Sequence, residues 1–287
     1  MDVVQMPSDA EIDRLAELIS DGGVVVLSGA GLSTESGIPD YRGETGARRA
    51  GQPMTFQTFT RDPDSRRRYW ARSYLGWRTI ARAAPNAGHA AVTALQDADL
   101  LAGIITQNVD GLHQATGAHS VIELHGNLAR VICLSCGDSM ERLELDRRLR
   151  EANPSFDAEV ATINPDGDVE IRDADLDGFH VVGCGVCGGG VLKPDVVFFG
   201  ETVPRARVDA CFDLVESARS LLVLGSSLTV MSGRRFVLRA LKLGRPVAIV
   251  NRGVTRESDR AGLVIDASLG AVLPAVVERC ASLPTPA

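Results

Sequence analysis

Short uninterrupted runs of apolar residues, many of them β-branched, recur along the chain between longer segments with helical spacing of apolar positions. Such runs are typical of strands that are buried on both faces of a sheet. Strands that alternate with helices predict an α/β fold, with a Rossmann-like parallel sheet and helices on both faces. The predicted strands are residues 24–27, 101–106, 121–124, 221–224, 247–250 and 263–265.

A helix is predicted before the first strand. Ser8 and Glu11 have the spacing of a capping box, in which each side chain accepts a hydrogen bond from the backbone N–H of the other residue. Apolar residues then recur with helical spacing until Gly22 and Gly23, which end the pattern.

Glycine and polar residues directly follow most of the predicted strands. In an open parallel sheet, ligands bind in the crevice outside the carboxyl ends of the strands. The sequence therefore predicts one ligand crevice, formed by residues 29–31, 107–110, 125–126, 225–227 and 251–253.

Two segments interrupt the alternation of strands and helices. Residues 43–84 are rich in arginine and aromatic residues, and residues 127–190 contain the paired cysteines. We expect both segments to cover the crevice. The predicted organisation is a Rossmann-like domain of residues 1–126 and 191–287, with a helical insertion at 43–84, and a small domain of residues 127–190.

The cysteine spacing predicts a zinc site in the small domain. Two Cys-x-x-Cys pairs can place four thiolates tetrahedrally around Zn²⁺, and four protein sulfurs leave no position for a substrate, so this zinc is structural. Redox-active or unrelated thiols are the alternative. Cys211 and Cys280 stand alone in helical patterns, as small buried hydrophobic residues do. The predicted ligands are Cys133, Cys136, Cys184 and Cys187.

The overall charge limits the expected partners. The 287 residues carry a formal net charge of −7, so no global basic field attracts the chain to nucleic acid or anionic lipid, and we expect neither as a partner. The first residues lack the basic and apolar regions of a secretory signal, and no apolar run reaches membrane-spanning length. These features predict a cytoplasmic location.

The turn after the first predicted strand differs from that of a dehydrogenase. A dinucleotide fingerprint needs Gly-x-Gly-x-x-Gly, but Thr34 occupies the third glycine position after Gly29-Ala30-Gly31. Such a turn still allows close approach of a pyrophosphate to the backbone and to the N–H groups of the next helix. A tight turn without a ligand is the alternative. The spacing disfavours hydride transfer.

His125 is a candidate general base at the crevice. Histidine normally titrates near pH 6.5, which suits proton abstraction at neutral pH. A purely structural histidine is the alternative, and Asn108 and Asp110 also fit an ordinary turn because Asn and Asp side chains favour strand ends.

Together these segments resemble the sirtuin family of NAD-dependent protein-lysine deacylases. The resemblance extends from about Leu15 to Val277 and rests on an ordered set of motifs. Residues 69–72 and 192–200 are similar to the class II branch of that family. The motifs are Gly-Ala-Gly-x-Ser-x-x-Ser-Gly-Ile-Pro, Gln-Asn-Val-Asp, His-Gly, the paired Cys-x-x-Cys, Phe-Phe-Gly-Glu and Gly-Ser-Ser.

This resemblance implies that NAD is the co-substrate and that its bond between nicotinamide and ribose is broken. The implied catalytic residues are His125, Asn108 and Asp110. Sirtuins often have a cysteine near the position of Leu269. Because this chain has leucine there, we expect Leu269 to contact the adenine through its backbone. The implied NAD contacts are Gly29, Ala30, Gly31, Ser33, Asp40, Tyr41, Arg42, Gln107, Asn108, Val109, Asp110, Gly225, Ser226, Ser227, Asn251, Arg252, Gly253 and Leu269.

The resemblance also implies an acyl-lysine protein or peptide as the partner, which would pair as a strand with part of the set Val197, Phe198, Phe199, Gly200 and Glu201. Tyr69 and Arg72 share a helix face, and they are similar to a pair with which another sirtuin branch binds carboxylated acyl chains. We therefore expect longer or carboxylated acyl groups. An amphipathic helix over residues 64–82 that packs Tyr69 is the alternative.

Two other functions fit parts of the same pattern. Transfer of ADP-ribose to a protein would use the same residues and would differ only in the acceptor. A zinc-bearing module that senses NAD without catalysis would need no base such as His125.

Overall fold

The computed structural model describes residues 6–40, 53–156, 162–163, 169–170 and 178–283. Two predicted NAD contacts, Tyr41 and Arg42, lie outside the described residues. Within the described ranges, no helix has both the length and the apolar composition of a membrane span.

The strands of the described ranges form one large sheet and two small ones. In the large sheet the order is β11-β10-β9-β1-β2-β3, and each neighbouring pair is parallel. This confirms the predicted parallel sheet. In chain order, the strands of the described residues are β1 (Val24–Ser28), β2 (Leu101–Thr106), β3 (Val121–Glu123), β4 (Gly126–Cys133), β5 (Ser139–Glu141), β6 (Thr162–Ile163), β7 (Val169–Glu170), β8 (Leu192–Val196), β9 (Ser220–Leu224), β10 (Val247–Val250) and β11 (Leu263–Ile265).

Helices cover both faces of the large sheet. In the described residues they are α1 (Asp9–Ser20), α2 (Phe56–Arg61), α3 (Pro63–Ile80), α4 (Ala87–Asp97), α5 (Leu112–Ala115), α6 (Arg142–Ala152), α7 (Arg205–Ser217), α8 (Met231–Lys242) and α9 (Leu269–Ser282). Val24 and Val26 of β1 pack in a cluster with α1, α4 and α9, whereas Val25 and Leu27 pack in a cluster with α7 and α8. Because successive side chains of a strand point to opposite faces, β1 is buried on both sides.

Helices α1 to α4 each begin with a side-chain cap that the sequence supplies. At α1, the Ser8 hydroxyl accepts from the backbone N–H of Glu11, and the Glu11 carboxylate accepts from Ser8 N at 2.8 Å. This is the predicted capping box. At α3, Asp62 accepts from Asp64 N at 3.0 Å and Pro63 occupies the first helical position, so the helix predicted over residues 64–82 begins at residue 63.

The small sheet containing β4 is antiparallel and has the order β5-β4-β8. Gly126, the first residue of β4, has φ of +86°. A Cβ there would lie 1.9 Å from the backbone oxygen of Asp195. Glycine thus allows β4 to start directly after His125. Val197 N then donates to the His125 backbone oxygen at 2.8 Å, which brings the segment after β8 to the histidine.

A third apolar cluster joins the helical insertion to the small sheet. The rings of Phe59, Tyr69 and Phe198 meet edge to face, with 5.2–5.3 Å between centroids. The buried guanidinium of Arg142 on α6 lies 5.0 Å from the ring centroid of Trp70 on α3. These contacts hold α3 and the small sheet together at the wall of the crevice.

Candidate active site

Backbone contacts hold the turn after β1 against the end of β9. Gly31 N donates to the backbone oxygen of Gly225 at 2.8 Å. A Cβ on Gly31 would lie 2.7 Å from the Cα of Gly225, and Gly225 itself has φ of +62°. Both positions therefore require glycine, and both line a cavity at the carboxyl ends of the strands.

A chain of hydrogen bonds connects this turn to the segment after β2. The Asn108 side-chain amide donates to the Ser33 hydroxyl at 3.0 Å and to the Gly29 backbone oxygen at 3.0 Å. The Ser33 hydroxyl in turn donates to the Asp110 carboxylate at 2.7 Å. The amide of Asn108 is fixed in orientation because both of its acceptors belong to the turn.

Asp110 has an environment that disfavours its charge. Burial raises the pKa of its carboxyl group, an effect partly opposed by hydrogen bonds from the backbone N–H of Leu112 and the hydroxyl of Ser33. Carboxyl groups whose pKa is shifted by burial are typical of catalytic sites, where charge changes during the reaction.

The ring of His125 lies between two oxygen atoms. Its Nδ1 is 3.0 Å from the backbone oxygen of Gln107, and its Nε2 is 2.8 Å from the hydroxyl of Ser232. A carbonyl oxygen can only accept, so Nδ1 carries the hydrogen and Nε2 carries the lone pair in the neutral ring.

Burial lowers the pKa of His125 below its usual value near 6.5, and the hydrogen bond to Gln107 opposes this effect only in part. The ring is therefore mostly neutral at pH 7, which is the form that can accept a proton. Nε2 is the accepting atom, and His125 is one of the residues on the cavity wall.

The cavity has a volume of about 790 Å³, within the range of roughly 300–1,000 Å³ that is usual for small-molecule sites. Residues from every predicted strand-end segment line it. The predicted site residues on its wall are Gly29, Ala30, Gly31, Ser33, Asp40, Gln107, Asn108, Val109, Asp110, His125, Val197, Phe198, Phe199, Gly200, Glu201, Gly225, Ser226, Ser227, Asn251, Arg252, Gly253 and Leu269.

At the end of the cavity formed by β9 and β10, side chains shape the turns. The Asn251 amide donates to the backbone oxygens of Arg252 at 2.7 Å and Gly253 at 2.9 Å. The Ser226 hydroxyl accepts from the Gln107 side chain at 2.9 Å. These bonds fix the two turns, so that their backbone and hydroxyl groups lie along the cavity wall, where they can bind a ligand by hydrogen bonds.

At the opposite end, a buried lysine fixes the segment after β8. Lys193 Nζ lies 3.0 Å from the Glu201 carboxylate, and the same carboxylate accepts from Phe198 N at 2.8 Å. Lys193 also donates to the backbone oxygen of Val196 at 2.5 Å. Burial lowers the pKa of Lys193, which Glu201 opposes. Residues 196–201 are therefore held in one conformation along the cavity.

Tyr69 and Arg72 occupy a different position from the other predicted substrate residues. Tyr69 is buried, and its ring packs against Phe198 at 5.2 Å between centroids. Phe198 lines the cavity, whereas in the described part of the chain neither Tyr69 nor Arg72 does. Tyr69 thus lies behind the cavity wall, as the alternative of a packed amphipathic helix predicts.

The four predicted zinc ligands come together at one end of the small sheet. Their sulfur atoms all lie within 4.8 Å of one another, with 3.7 Å between Cys133 and Cys187 and 3.8 Å between Cys136 and Cys184. Tetrahedral Zn–S bonds of about 2.3 Å require sulfur separations of about 3.8 Å. The donor set and spacing therefore fit one structural zinc ion.

Two features near the cavity are absent from the sequence prediction. Ser232 lies on the first turn of α8, beside His125. Behind the turn after β1, the Ser28 hydroxyl lies 2.9 Å from Nε2 of the buried His113, whose ring centroid is 5.3 Å from that of His89. The sequence shows that His113 follows the 107–110 segment, but the burial of its ring depends on the packing of α4 against α5.

Comparisons with known proteins agree on one family. The model of the Sir2 family matches residues 29–232. The chain is 58% identical over 273 residues to "NAD-dependent protein deacetylase 1" of Streptomyces coelicolor, a match that covers 95% of this chain and 91% of that protein. It is 44% identical over 259 residues to "NAD-dependent protein lipoamidase sirtuin-4, mitochondrial" of Bos taurus, with 89% of this chain and 82% of that protein covered.

Solved structures show the same fold. The structure described as "Structural Basis for the Mechanism and Regulation of Sir2 Enzymes" has a TM-score of 0.77 and 29% identity, and the match covers 96% of this chain and 100% of that one. The structure described as "Sir2-p53 peptide-NAD+" has a TM-score of 0.75 and 28% identity, with 92% and 96% covered. The chain belongs to the Sir2 family, the sirtuins.

Proposed function

We propose that this sirtuin is an NAD-dependent protein-lysine deacylase in which His125 is the general base. The protein is an enzyme, with NAD as co-substrate and one structural zinc ion. The observation that carries the proposal is the 3.0 Å contact of His125 Nδ1 with the Gln107 backbone oxygen, which assigns the lone pair of the neutral ring to Nε2 at the wall of the cavity that contains the glycine turn. The names of the relatives favour deacetylation over transfer of ADP-ribose to a protein.

The residues on the cavity wall fit NAD. Gly31 and Gly225 pack against each other, and both line the cavity, so the turn after β1 brings its backbone to the wall, where we propose that a pyrophosphate binds. Ser226 and Ser227 supply hydroxyl groups at the β9 end, where we place the adenosine half. NAD supplies an electrophilic ribose carbon when its bond to the positively charged nicotinamide breaks.

We propose that Asn108 and Asp110 act at the nicotinamide end, and their bonds to Ser33 support this by fixing both side chains at the cavity wall. In this proposal the amide of Asn108 orients polar groups of the ribose or nicotinamide, and the Asp110 carboxyl supports that orientation. We propose that this geometry holds the acyl-lysine oxygen against the ribose carbon, because positioning of two reactants removes much of the entropic barrier.

His125 acts on a hydroxyl group of the same ribose. Its Nε2 takes the proton while Nδ1 stays bonded to the Gln107 carbonyl, so the ring keeps its orientation as it becomes charged. Once the acyl oxygen has bonded to the ribose carbon in place of nicotinamide, the hydroxyl oxygen attacks the acyl carbon. One water molecule then adds as the lysine amine leaves, so the products are free lysine and O-acyl-ADP-ribose.

The peptide is proposed to bind as an added strand along Phe199, Gly200 and Glu201. Phe199 is partly exposed at the cavity, and its backbone oxygen accepts from Phe56 N at 2.9 Å. The ion pair of Lys193 with Glu201 supports this role because it holds the segment in place before a peptide arrives.

For the acyl group, we propose a preference for chains longer than acetyl. Ile38, Met54, Val109 and Phe198 line the cavity and also belong to the apolar cluster of α2 and α3. Such a wall accommodates methylene groups, each of which gains about 0.8 kcal/mol on burial. The position of Tyr69 behind this wall, packed on Phe198, supports uncharged long chains over carboxylated ones in this proposal.

We further propose a cytoplasmic location, membership of the class II branch and the individual NAD contacts that the resemblance implies. Acyl-lysine peptides are the proposed partners.

The direct test is an analysis of products by mass spectrometry. The zinc-loaded protein is incubated with NAD and peptides that carry acetyl, butyryl, octanoyl or glutaryl lysine. We expect nicotinamide, free lysine and O-acyl-ADP-ribose in equal amounts. Labelled ADP-ribose on protein or peptide, without loss of the acyl group, would instead support ADP-ribosyl transfer.

A further inference from the structure

Ser232 is the only hydroxyl residue in the described part of the chain that contacts the His125 ring. It lies on the first turn of α8, and its hydroxyl is 2.8 Å from Nε2. Because Nδ1 donates to Gln107, the neutral ring can only accept at Nε2, so the Ser232 hydroxyl donates to it. The atom that must take the substrate proton is therefore already in contact with a serine.

The packing of α8 fixes the position of this serine. Gly233, the next residue, lies against the Gln107 side chain so closely that a Cβ would be 2.4 Å from Oε1. That side chain is held by Ser226, whose hydroxyl accepts from it at 2.9 Å. Gln107 therefore has two roles. Its backbone oxygen binds Nδ1 of His125, and its side chain positions α8, whose Ser232 contacts Nε2 of the same ring.

A hydroxyl group suits both protonation states of the base. It donates to the lone pair of neutral Nε2, and after rotation it accepts from the N–H of the charged ring. Hydrogen bonds to charged groups are the stronger of the two kinds, so the serine contributes more to the charged ring than to the neutral one.

We propose that Ser232 is a positioning residue for the deacylation base, which holds the His125 ring in plane and accepts from it once Nε2 is protonated. The inference rests on the proposed function, since it assigns the support of that same base. Ser232 acts through His125 and need not contact the acyl group.

Two charged side chains of the described residues oppose protonation of the ring. Arg235 on α8 and Arg207 on α7 both lower the pKa of His125, in addition to burial, and only the Gln107 bond raises it. The Ser232 hydroxyl is therefore a second stabilising contact for the charged ring in a surrounding that otherwise disfavours it.

The first test is nuclear magnetic resonance of the NAD-free protein with labelled imidazole nitrogens. The His125 signals are assigned by their absence in His125→Asn. We expect hydrogen on Nδ1 in the neutral ring, and a pKa about half a unit lower or more in Ser232→Ala, because the alanine cannot accept from the charged ring. Ser232→Thr retains a hydroxyl and should restore most of this shift.

The second test is the pH profile of deacylation. In Ser232→Ala we expect kcat to fall about tenfold and the KM for NAD to change less than twofold. The acid limb of the kcat/KM profile should move to lower pH, since that limb reports the pKa of the base in the free enzyme. Ser282→Ala, at an exposed helix end, is the matched control.

The inference is overturned if the His125 pKa and the acid limb are the same in Ser232→Ala and the wild type. It is equally overturned if Ser232→Thr is as impaired as Ser232→Ala while both melt at the wild-type temperature. A wild-type protein without deacylase activity would refute the proposed function, while the resonance measurement would still decide whether Ser232 supports the charged ring.

Discussion

The Ser33 hydroxyl donates a hydrogen bond of 2.7 Å to the Asp110 carboxylate, and this bond joins two strand ends of the cavity. Ser33 is buried and also accepts from Asn108 at 3.0 Å. A single side chain thus links the turn after β1 to the two predicted catalytic residues after β2. Its loss should affect both stability and the step that releases nicotinamide.

We expect Ser33→Ala to lower the free energy of unfolding by about 1–3 kcal/mol, because the partly buried Asp110 carboxylate loses its donor. Nicotinamide release should slow about tenfold or more, as Asn108 loses an acceptor that orients it. Urea unfolding and initial rates of nicotinamide release measure the two effects. Ser20→Ala, whose hydroxyl caps an exposed helix end, is the control, and equal activity in the two variants would contradict this role for Ser33.

Zinc binding should depend on Cys184, which is buried among the four clustered sulfurs. We expect about one zinc ion per wild-type chain, and loss of metal together with unfolding of the small sheet in Cys184→Ser, because four-sulfur sites contribute directly to folding. Metal analysis and circular dichroism provide the readouts. Cys280→Ser should keep its zinc. A Cys184 variant with a full zinc content would show that the ion binds elsewhere.

The buried pair of His89 and His113 should make the protein sensitive to acid. Burial lowers the pKa of His113 to about 3 and that of His89 to about 4, whereas both titrate near 6.5 in an unfolded chain. The unfolded state therefore binds protons first as the pH falls below about 6.5, and stability is lost from there downward.

Between pH 6.5 and 5, each of these histidines should lower the free energy of unfolding by up to about 2 kcal/mol. His113→Gln should be less stable at pH 7 but should lose less stability over that interval than the wild type. His119→Gln, an exposed substitution, should leave the pH dependence unchanged. An identical slope in the His113 variant would show that other groups cause the acid sensitivity.

Two acyl groups of equal chain length, one neutral and one carboxylated, can separate the acyl preference of the cavity from the role of Arg72. We expect pentanoyl-lysine to be cleaved faster than glutaryl-lysine, since the described acyl end of the cavity is apolar. Arg72→Ala should change kcat/KM for both substrates by the same factor, with Arg67→Ala on the same helix as the control. A loss of about tenfold or more for glutaryl alone would show that Arg72 binds the carboxylate, because tenfold corresponds to about 1.4 kcal/mol.

The large sheet could be predicted because its central strands β1, β9 and β10 are buried throughout and read as nearly continuous apolar runs. β8 could not, since it contains Lys193 and Pro194 in place of such a run. Its lysine is buried only because Glu201 and two backbone oxygens supply partners. The antiparallel pairing of β4 with β8 joins segments that are far apart in sequence, and no local pattern predicts that register.

Most of the site could be predicted because parallel strands bring their carboxyl ends to one edge. The position of Ser232 could not, because it depends on how closely Gly233 packs on Gln107. Tyr69 and Arg72 illustrate a further limit. Helical spacing places both on one side of α3, but only the packing of Phe59 and Phe198 on Tyr69 shows that this side faces an apolar cluster.

In the proposed mechanism, His125 transfers a proton during deacylation and is dispensable for NAD binding. The most direct measurement compares His125→Tyr with the wild type and with the exposed His119→Tyr, using calorimetry for NAD binding and mass spectrometry for deacylation. We predict that His125→Tyr binds NAD within about threefold of the wild type while kcat falls by roughly 10²–10⁴-fold, the usual contribution of a general base. Near-normal turnover by His125→Tyr would contradict the account.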